Sequence, residues 1–157
     1  MRLSVYPDGL ISVSAPKWYP LYLVEKFLES RSSWILGKIK ETGFSREREK
    51  KDYLGKKEAV RELVGKKIKV FNRNYGFSIG RISIKRQRSC WGSASLRGNL
   101  NFNYKIINLP ESLQDYIIVH ELCHLRELNH GLEFWKLVEK VIPDFRERRK
   151  ELKKVAL

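Results

Sequence analysis

The chain has little cysteine, no long apolar run and, over one wide stretch, no acidic residue at all. Its two cysteines, Cys90 and Cys123, cannot form the framework of bridges that staples small secreted domains. A reducing, cytoplasmic setting is therefore the expectation. No apolar segment approaches the ~20 residues needed to cross a bilayer, which excludes an integral membrane role for a helix. The opening "MRLSVYPDGL" lacks the apolar centre of a signal peptide and reads as a strand and a turn. No internal repeat or low-complexity linker is present, and 157 residues are enough for one domain with a real core.

Between Leu63 and Pro110 there is neither Asp nor Glu, yet the stretch holds Lys66, Lys67, Lys69, Arg73, Arg81, Lys85, Arg86, Arg88, Arg97 and Lys105. The net charge is +14, so these ten residues account for most of the surplus. Such a segment is either a solvated basic surface or an attractor for an anionic partner: nucleic acid, a nucleotide or an acidic peptide. No helix-turn-helix signal and no aromatic-plus-glycine RNA-binding signature accompanies it.

Periodicity sketches the elements. Leu3 and Val5, then Pro7-Asp8-Gly9, then Ile11 and Val13 predict a hairpin with its turn at residues 7–9. From Pro20, Leu21, Val24, Phe27 and Leu28 recur at helical spacing, and Trp34, Ile35 and Ile39 continue it after a serine-rich interruption. That predicts two short helices or one bent one, stopping near Gly43. A charged helix follows, with Tyr53, Leu54, Val60, Leu63, Val64, Ile68 and Phe71 on its stripe and its end near Tyr75-Gly76. "SIGRISIKR" reads as a strand and "SCWGSASLRGN" as a Gly/Ser loop. "LNFNYKI" reads as a half-buried strand with Asn101 and Asn103 on its polar face. Pro110, with Glu111 and Asp115 behind it, opens a helix. A further helix runs from about Leu132 to Ile142, stopped by Pro143, and the tail "DFRERRKELKK" is a charged helix.

Histidine is both scarce and informative. The chain has three, and all lie in "HELCHLRELNH", residues 120–130. His120 and His124 are one helical turn apart and project from one face, as two ligands of one cation must. Glu121 beside the first completes H-E-x-x-H, in which the histidines hold zinc and the glutamate is general base. His130, ten positions after His120, has the spacing of the third ligand in H-E-x-x-H-x-x-G-x-x-H, although Glu127 stands where that pattern has glycine. Leu128-Asn129 must then turn the chain, and Asn129 is able to adopt the left-handed cap conformation. Three protein ligands and one open position make a catalytic site. Glu127 and Glu133 are weaker alternatives as third ligand. Cys123 reads as core, as do Trp91 and Trp135.

The block "WGSAS-x-x-GNLNFNY", followed by "YIIVHELCHL", "NHG", "FW" and "IPDF", together with the opening "RLSVYPDGLISVSAP", resembles the YgjP-like metallopeptidase-type hydrolases, relatives of the SprT/Wss zinc proteases. The resemblance covers nearly the whole chain and implies an α+β, zincin-like fold. Such a fold is mostly helical, with an N-terminal hairpin and a small sheet beside the H-E-x-x-H helix. It implies a single domain over 1–157, with hairpin and helices over 1–43, the charged helix over 44–78 and a catalytic core over 79–157. It implies His120, His124 and His130 as metal ligands and Glu121 as base. Ala94 stands where the family often has cysteine, and Gly131 where it often has serine; the segment between hairpin and middle helix is short. The expected cofactor is one zinc ion per chain, with another divalent metal as the alternative. The expected substrate is a peptide or an anionic small molecule, with Arg88, Arg97, Asn101 and Asn103 as candidate contacts. Two alternatives stand beside the peptidase: a nucleoside-triphosphate pyrophosphohydrolase using the same metal, and a basic nucleic-acid-associated binding protein.

Overall fold

The computed structural model describes residues 1–6 and 10–157, and the side chains of all of these except 42, 44 and 45. It divides into two compact units, Met1–Asp52 and Tyr53–Leu157.

In the first unit, β1 (Arg2–Val5) pairs antiparallel with β2 (Ile11–Ser14), with Leu3 opposite Val13 and Val5 opposite Ile11. The expected hairpin is present, while its Pro7-Asp8-Gly9 turn lies outside the described residues. Helix α1 (Leu21–Ser30) starts behind Pro20, whose φ of −61° leads into a helix. It ends where Ser30 Oγ donates to the carbonyl of Phe27 at 2.7 Å. None of its residues is buried. Helix α2 (Ser32–Phe71) then runs for 40 residues. The expected stop near Gly43 does not occur. A single glycine costs a helix only ~1 kcal/mol, and the good helix formers on either side carry the turn through it.

The second unit is built on the last part of α2, where Val60, Val64 and Ile68, spaced by four, are 0–3 % exposed. After α2 a short 3₁₀ turn (Asn72–Asn74) and Gly76 at φ +67° end the helical run. Three strands follow: β3 (Ile82–Lys85), β4 (Gly92–Ala94) and β5 (Leu100–Asn103), in the order β3-β5-β4. β3 runs parallel to β5, with Ile84 beside Phe102, and β4 runs antiparallel to it, with Ser93 beside Asn101. The Gly/Ser loop expected over residues 89–99 is thus corrected, because its centre is a strand. Glycine and serine have poor strand propensity, so this strand exists through its pairing with β5.

Tyr104–Asn108 form a 3₁₀ helix, and α3 (Glu111–Cys123), α4 (Leu132–Val141) and α5 (Phe145–Leu152) complete the chain. Leu100, Phe102, Tyr104 and Ile106 pack with α3's Ile118, Val119 and Leu122 and with Phe134 and Val138 of α4 in one core. Lys67, its side chain only 17 % exposed, pairs with Glu111 at 2.8 Å and Asp115 at 2.6 Å. One cation of the acid-free stretch therefore joins α2 to the start of α3. The fold is mostly helical α+β, as the sequence implied. Among the described residues no helix is long and apolar enough to cross a membrane.

Candidate metal centre

Helix α3 is buried over most of its length. Ile117, Ile118, Val119, Leu122 and Cys123 are each at most 3 % exposed. Its N-terminus is set by Pro110, whose carbonyl accepts from the backbone of Leu113 and Gln114, and Gln114 Nε2 donates to the carbonyl of Leu109 at 2.8 Å. On so buried a helix, His120 and Glu121 are polar exceptions that need a physical reason. The helix closes at His124, its C-cap residue. The chain then turns through Leu125 and Arg126, whose backbone N–H groups return to Leu122 and Cys123. Asn129 is not left-handed, since no described residue other than glycine has positive φ. The reversal is made instead by a tight bond from Gly131 N–H to the carbonyl of Asn129 at 2.8 Å. Gly131 caps α4 in extended geometry, and His130 is left facing back toward α3.

The three Nε2 atoms converge. His120 and His124 are 3.2 Å apart, His120 and His130 3.1 Å, and His124 and His130 3.0 Å. Nitrogens bound to one tetrahedral zinc at ~2.0–2.1 Å would lie about 3.3 Å apart, so this spacing fits a single small cation. The protonation pattern fits as well. Nδ1 of His124 is 2.9 Å from the carbonyl of Glu127. A carbonyl only accepts, so in the neutral ring Nδ1 carries the proton and Nε2 presents a lone pair. Nδ1 of His120 is buried with no hydrogen-bond partner among the described residues, and packing orients that ring: the ring centres of Phe134 and Tyr116 lie 4.9 and 5.7 Å away. Phe134 also touches the rings of His124 and His130, at 4.5 and 4.8 Å. Trp135 Nε1 donates to the carbonyl of His130 at 3.1 Å. Burial pushes His120 down to about 3, helped by the neighbouring histidines and Arg149. Burial, His124 and Arg149 also lower His130. Neutral imidazoles are what a metal requires.

Glu121 is 7 % exposed, and burial alone raises its carboxyl to about 8. It lies against the backbone of β4. A Cβ placed on Gly92 would stand 2.7 Å from Glu121 Cγ and 2.8 Å from Oε1, so only glycine admits the carboxylate there. Glu121 and His120 share a cleft of about 240 Å³ with Cys90, Trp91, Gly92, Tyr116, Ile117 and Leu152.

The sequence pattern of the YgjP-like, metallopeptidase domain family matches residues 1–61 and 46–155. The chain belongs to that family. Two solved structures are similar to this YgjP-like domain. The metallopeptidase zymogen of Pyrococcus abyssi abylysin is 25 % identical with a TM-score of 0.54, the match covering 58 % of this chain and 92 % of that one. The metallopeptidase zymogen of Methanocaldococcus jannaschii jannalysin is 26 % identical with a TM-score of 0.51, over 58 % and 94 %. No curated protein matches. The YgjP-like domain is thus a metallopeptidase-type hydrolase whose histidine triad can hold a metal ion.

The remaining expected residues are scattered around this YgjP-like site. Glu127 offers the triad its carbonyl, and Glu133 pairs with Lys136 at 2.8 Å; among the described residues the convergent group holds the three histidines alone. Asn103 does not share an exposed polar face with Asn101. It is 0 % exposed, donating to the carbonyls of Gln87 and Cys90 at 2.8 and 3.1 Å and accepting from Lys105 N–H at 3.1 Å. The β3–β4 connection is folded around it, because a buried amide needs all its partners. Asn101 donates to Ser93 Oγ at 3.1 Å, across β5 and β4. Arg88 and Arg97 are exposed and do not line the cleft of Glu121; the residues between them, Cys90 to Gly92, do. Two features escaped the sequence reading: Gly92, hidden in an apparent loop, and Arg149, whose charge reaches His120 and His130. The i, i+3, i+4, i+7 recurrence of cations around Arg149 is the signal that would have found it.

Proposed function

We propose that this protein is a zinc-dependent peptidase in which His120, His124 and His130 hold the ion and Glu121 is the general base. The observation that carries the reading is the convergence of three imidazole Nε2 atoms at 3.0–3.2 Å beside a buried glutamate. Zinc, when bound, supplies Lewis acidity that polarises the scissile carbonyl and makes water acidic enough to attack near neutral pH. The chain supplies the rest. Glu121 accepts the proton of the attacking water on its carboxylate and delivers it to the departing amine. Burial raises its proton affinity, which suits it to hold that proton, and a dication bound beside it would lower that affinity. Trp91, Ile117 and Leu152 wall the cleft and limit water. Among the described residues β4 pairs with β5 alone, so its other edge is available for an extended peptide to add as a strand. Zinc is preferred to other divalent ions because three imidazoles with one open position suit it.

Elemental analysis of untagged protein, alongside hydrolysis of casein and of nucleoside triphosphates, tests the reading. One zinc per chain and zinc-dependent casein cleavage are expected. Triphosphate hydrolysis without peptide cleavage would overturn the substrate. A metal content unchanged in the His120→Ala/His124→Ala variant would overturn the ligand set.

A further inference from the structure

The charged tail helix α5 is not absorbed by this chemistry. Arg146, Arg149, Lys150 and Lys153 recur at i, i+3, i+4 and i+7 and line one cleft of about 390 Å³ whose apolar wall is Leu132, Trp135 and Phe145. Trp135 and Phe145 stack at 5.1 Å and 12°. The guanidinium of Arg149 lies 4.8 Å from the Trp135 ring centre. The same Trp135 ring is 5.6 Å from His130 and 6.1 Å from His120. One aromatic side chain therefore belongs to both the cleft and the metal centre.

The cations in the cleft are largely uncompensated. Arg146 approaches Glu139 only to 3.7 Å. Arg149, Lys150 and Lys153 pair with no carboxylate among the described residues. Arg148, which is outside the cleft, is the one that is internally satisfied, by Asp144 at 2.9 Å and the carbonyl of Ser112 at 3.0 Å. The helix's own Glu147 and Glu151 do not line the cleft. Like charges at these spacings weaken a helix. The helix dipole favours cations at the C-terminal end but disfavours Arg146 in the first turn. Helix stability therefore does not account for the pattern.

We propose that this cleft is a specificity subsite that takes an acidic side chain of the peptide cleaved at the neighbouring metal centre. The inference rests on the peptidase reading. Trp135 and Leu132 would receive the methylene stem of a glutamate, and Arg149, with a planar fork of donors, its carboxylate. Lys150 and Lys153 add charge at the rim. The volume lies within the range of small-ligand sites and suits a side chain.

The test uses zinc-loaded protein and pairs of short fluorescein-labelled peptides that differ only in Glu against Gln at one position, moved stepwise along the peptide. At one position the Glu peptide should be cleaved with a kcat/KM about tenfold higher than its Gln twin, the scale of a hydrogen bond to a charged group. The preference should vanish in Arg149→Gln, persist in part in Arg149→Lys, and shrink at high salt. Arg149 is exposed, so these variants should keep the fold. Equal cleavage of Glu and Gln peptides at every position would overturn the subsite. Binding is read separately by fluorescence anisotropy on zinc-loaded Glu121→Gln. An Arg149-dependent preference for Glu in binding, without cleavage by the wild type, would uphold the subsite and refute the peptidase reading. Displacement of the labelled Glu peptide by inorganic triphosphate or single-stranded DNA at lower concentrations than by unlabelled peptide would overturn the acidic-peptide assignment.

Discussion

Residues 1–52 and 53–157 differ sharply in what they bury. Among the described residues of the first unit, Ile35 is the one buried hydrophobic side chain, whereas the second has twenty, from Val60 to Phe145. In the first, Trp18, Leu21 and Tyr22 are 80, 73 and 65 % exposed. Both units have regular secondary structure, so hydrogen bonding does not separate them; apolar burial does. The candidate chemistry lies wholly in the unit with the core. Three imidazoles whose Nε2 atoms converge to 3.0–3.2 Å of one another need rotamers locked by packing, and Phe134, 0 % exposed and in contact with all three rings, provides that.

The contrast is broken hardest at Phe134. Phe134→Ala should cost ~3–5 kcal/mol in urea unfolding, the usual loss for a buried aromatic, and should weaken metal retention as well. Unchanged stability and metal content would mean that the core does not hold the triad. Next comes Glu121→Gln, which should lower peptide turnover by ~10²-fold or more with one metal per chain retained. Turnover near that of the wild type would remove Glu121 from the chemistry. Gly92→Ala tests the packing of β4 on Glu121. A Cβ 2.7 Å from Cγ must displace the carboxylate, and a roughly tenfold fall in kcat is expected from such misplacement, with metal content unaffected.

A subtler effect appears in the chelated, metal-free protein as pH changes. His120 has a folded value of about 3, below its ordinary 6.5. Its contribution to stability is therefore complete above about 6.5 and is lost as pH falls toward 3. Glu121 acts in the opposite sense. Its folded value of about 8 lies above the ordinary 4.5, so its contribution is complete below 4.5 and is lost as pH rises through 8. Thermal unfolding should therefore show highest stability between about 4.5 and 6.5, and Glu121→Gln should abolish the alkaline decline; a variant that keeps the decline would assign it elsewhere. The smallest effect is expected in the first unit. Trp18→Ala and Leu21→Ala should change unfolding free energy by no more than ~0.5 kcal/mol, as exposed substitutions do. Amide exchange should be fast over residues 1–52 and slow around Val64, Phe102 and Ile118. Equal protection in both units would erase the contrast.

Local pattern alone determined much of this molecule. The alternation of Leu3, Val5, Ile11 and Val13 was sufficient for the hairpin; Pro110, Pro143 and local periodicity marked α3 and α4, and the charged run after Pro143 marked α5. The triad was legible because i, i+4 spacing on a helix fixes two directions at once, and the return of His130 follows from ten residues of spacing. The break before Ser32 was legible, but the continuation through Gly43 was not, since one glycine is a small local cost that its neighbours override.

What tertiary structure decided has a common cause. β4 is Gly92-Ser93-Ala94, so no propensity marks it; pairing with β5 makes it a strand, and the closeness of Glu121 requires the Cβ-free position at Gly92. Asn103 sits on an alternating run that reads as half exposed, yet the backbone of Gln87 and Cys90 closes over it. Arg149 is nineteen residues beyond His130 in a run of charges, and only the packing of α5 brings it onto Trp135. Ligand spacing within one helix and its following turn is a property of the chain. The partner of a strand, the lid over a side chain and the charge beside a site depend on residues distant in sequence, and folding alone brings them together.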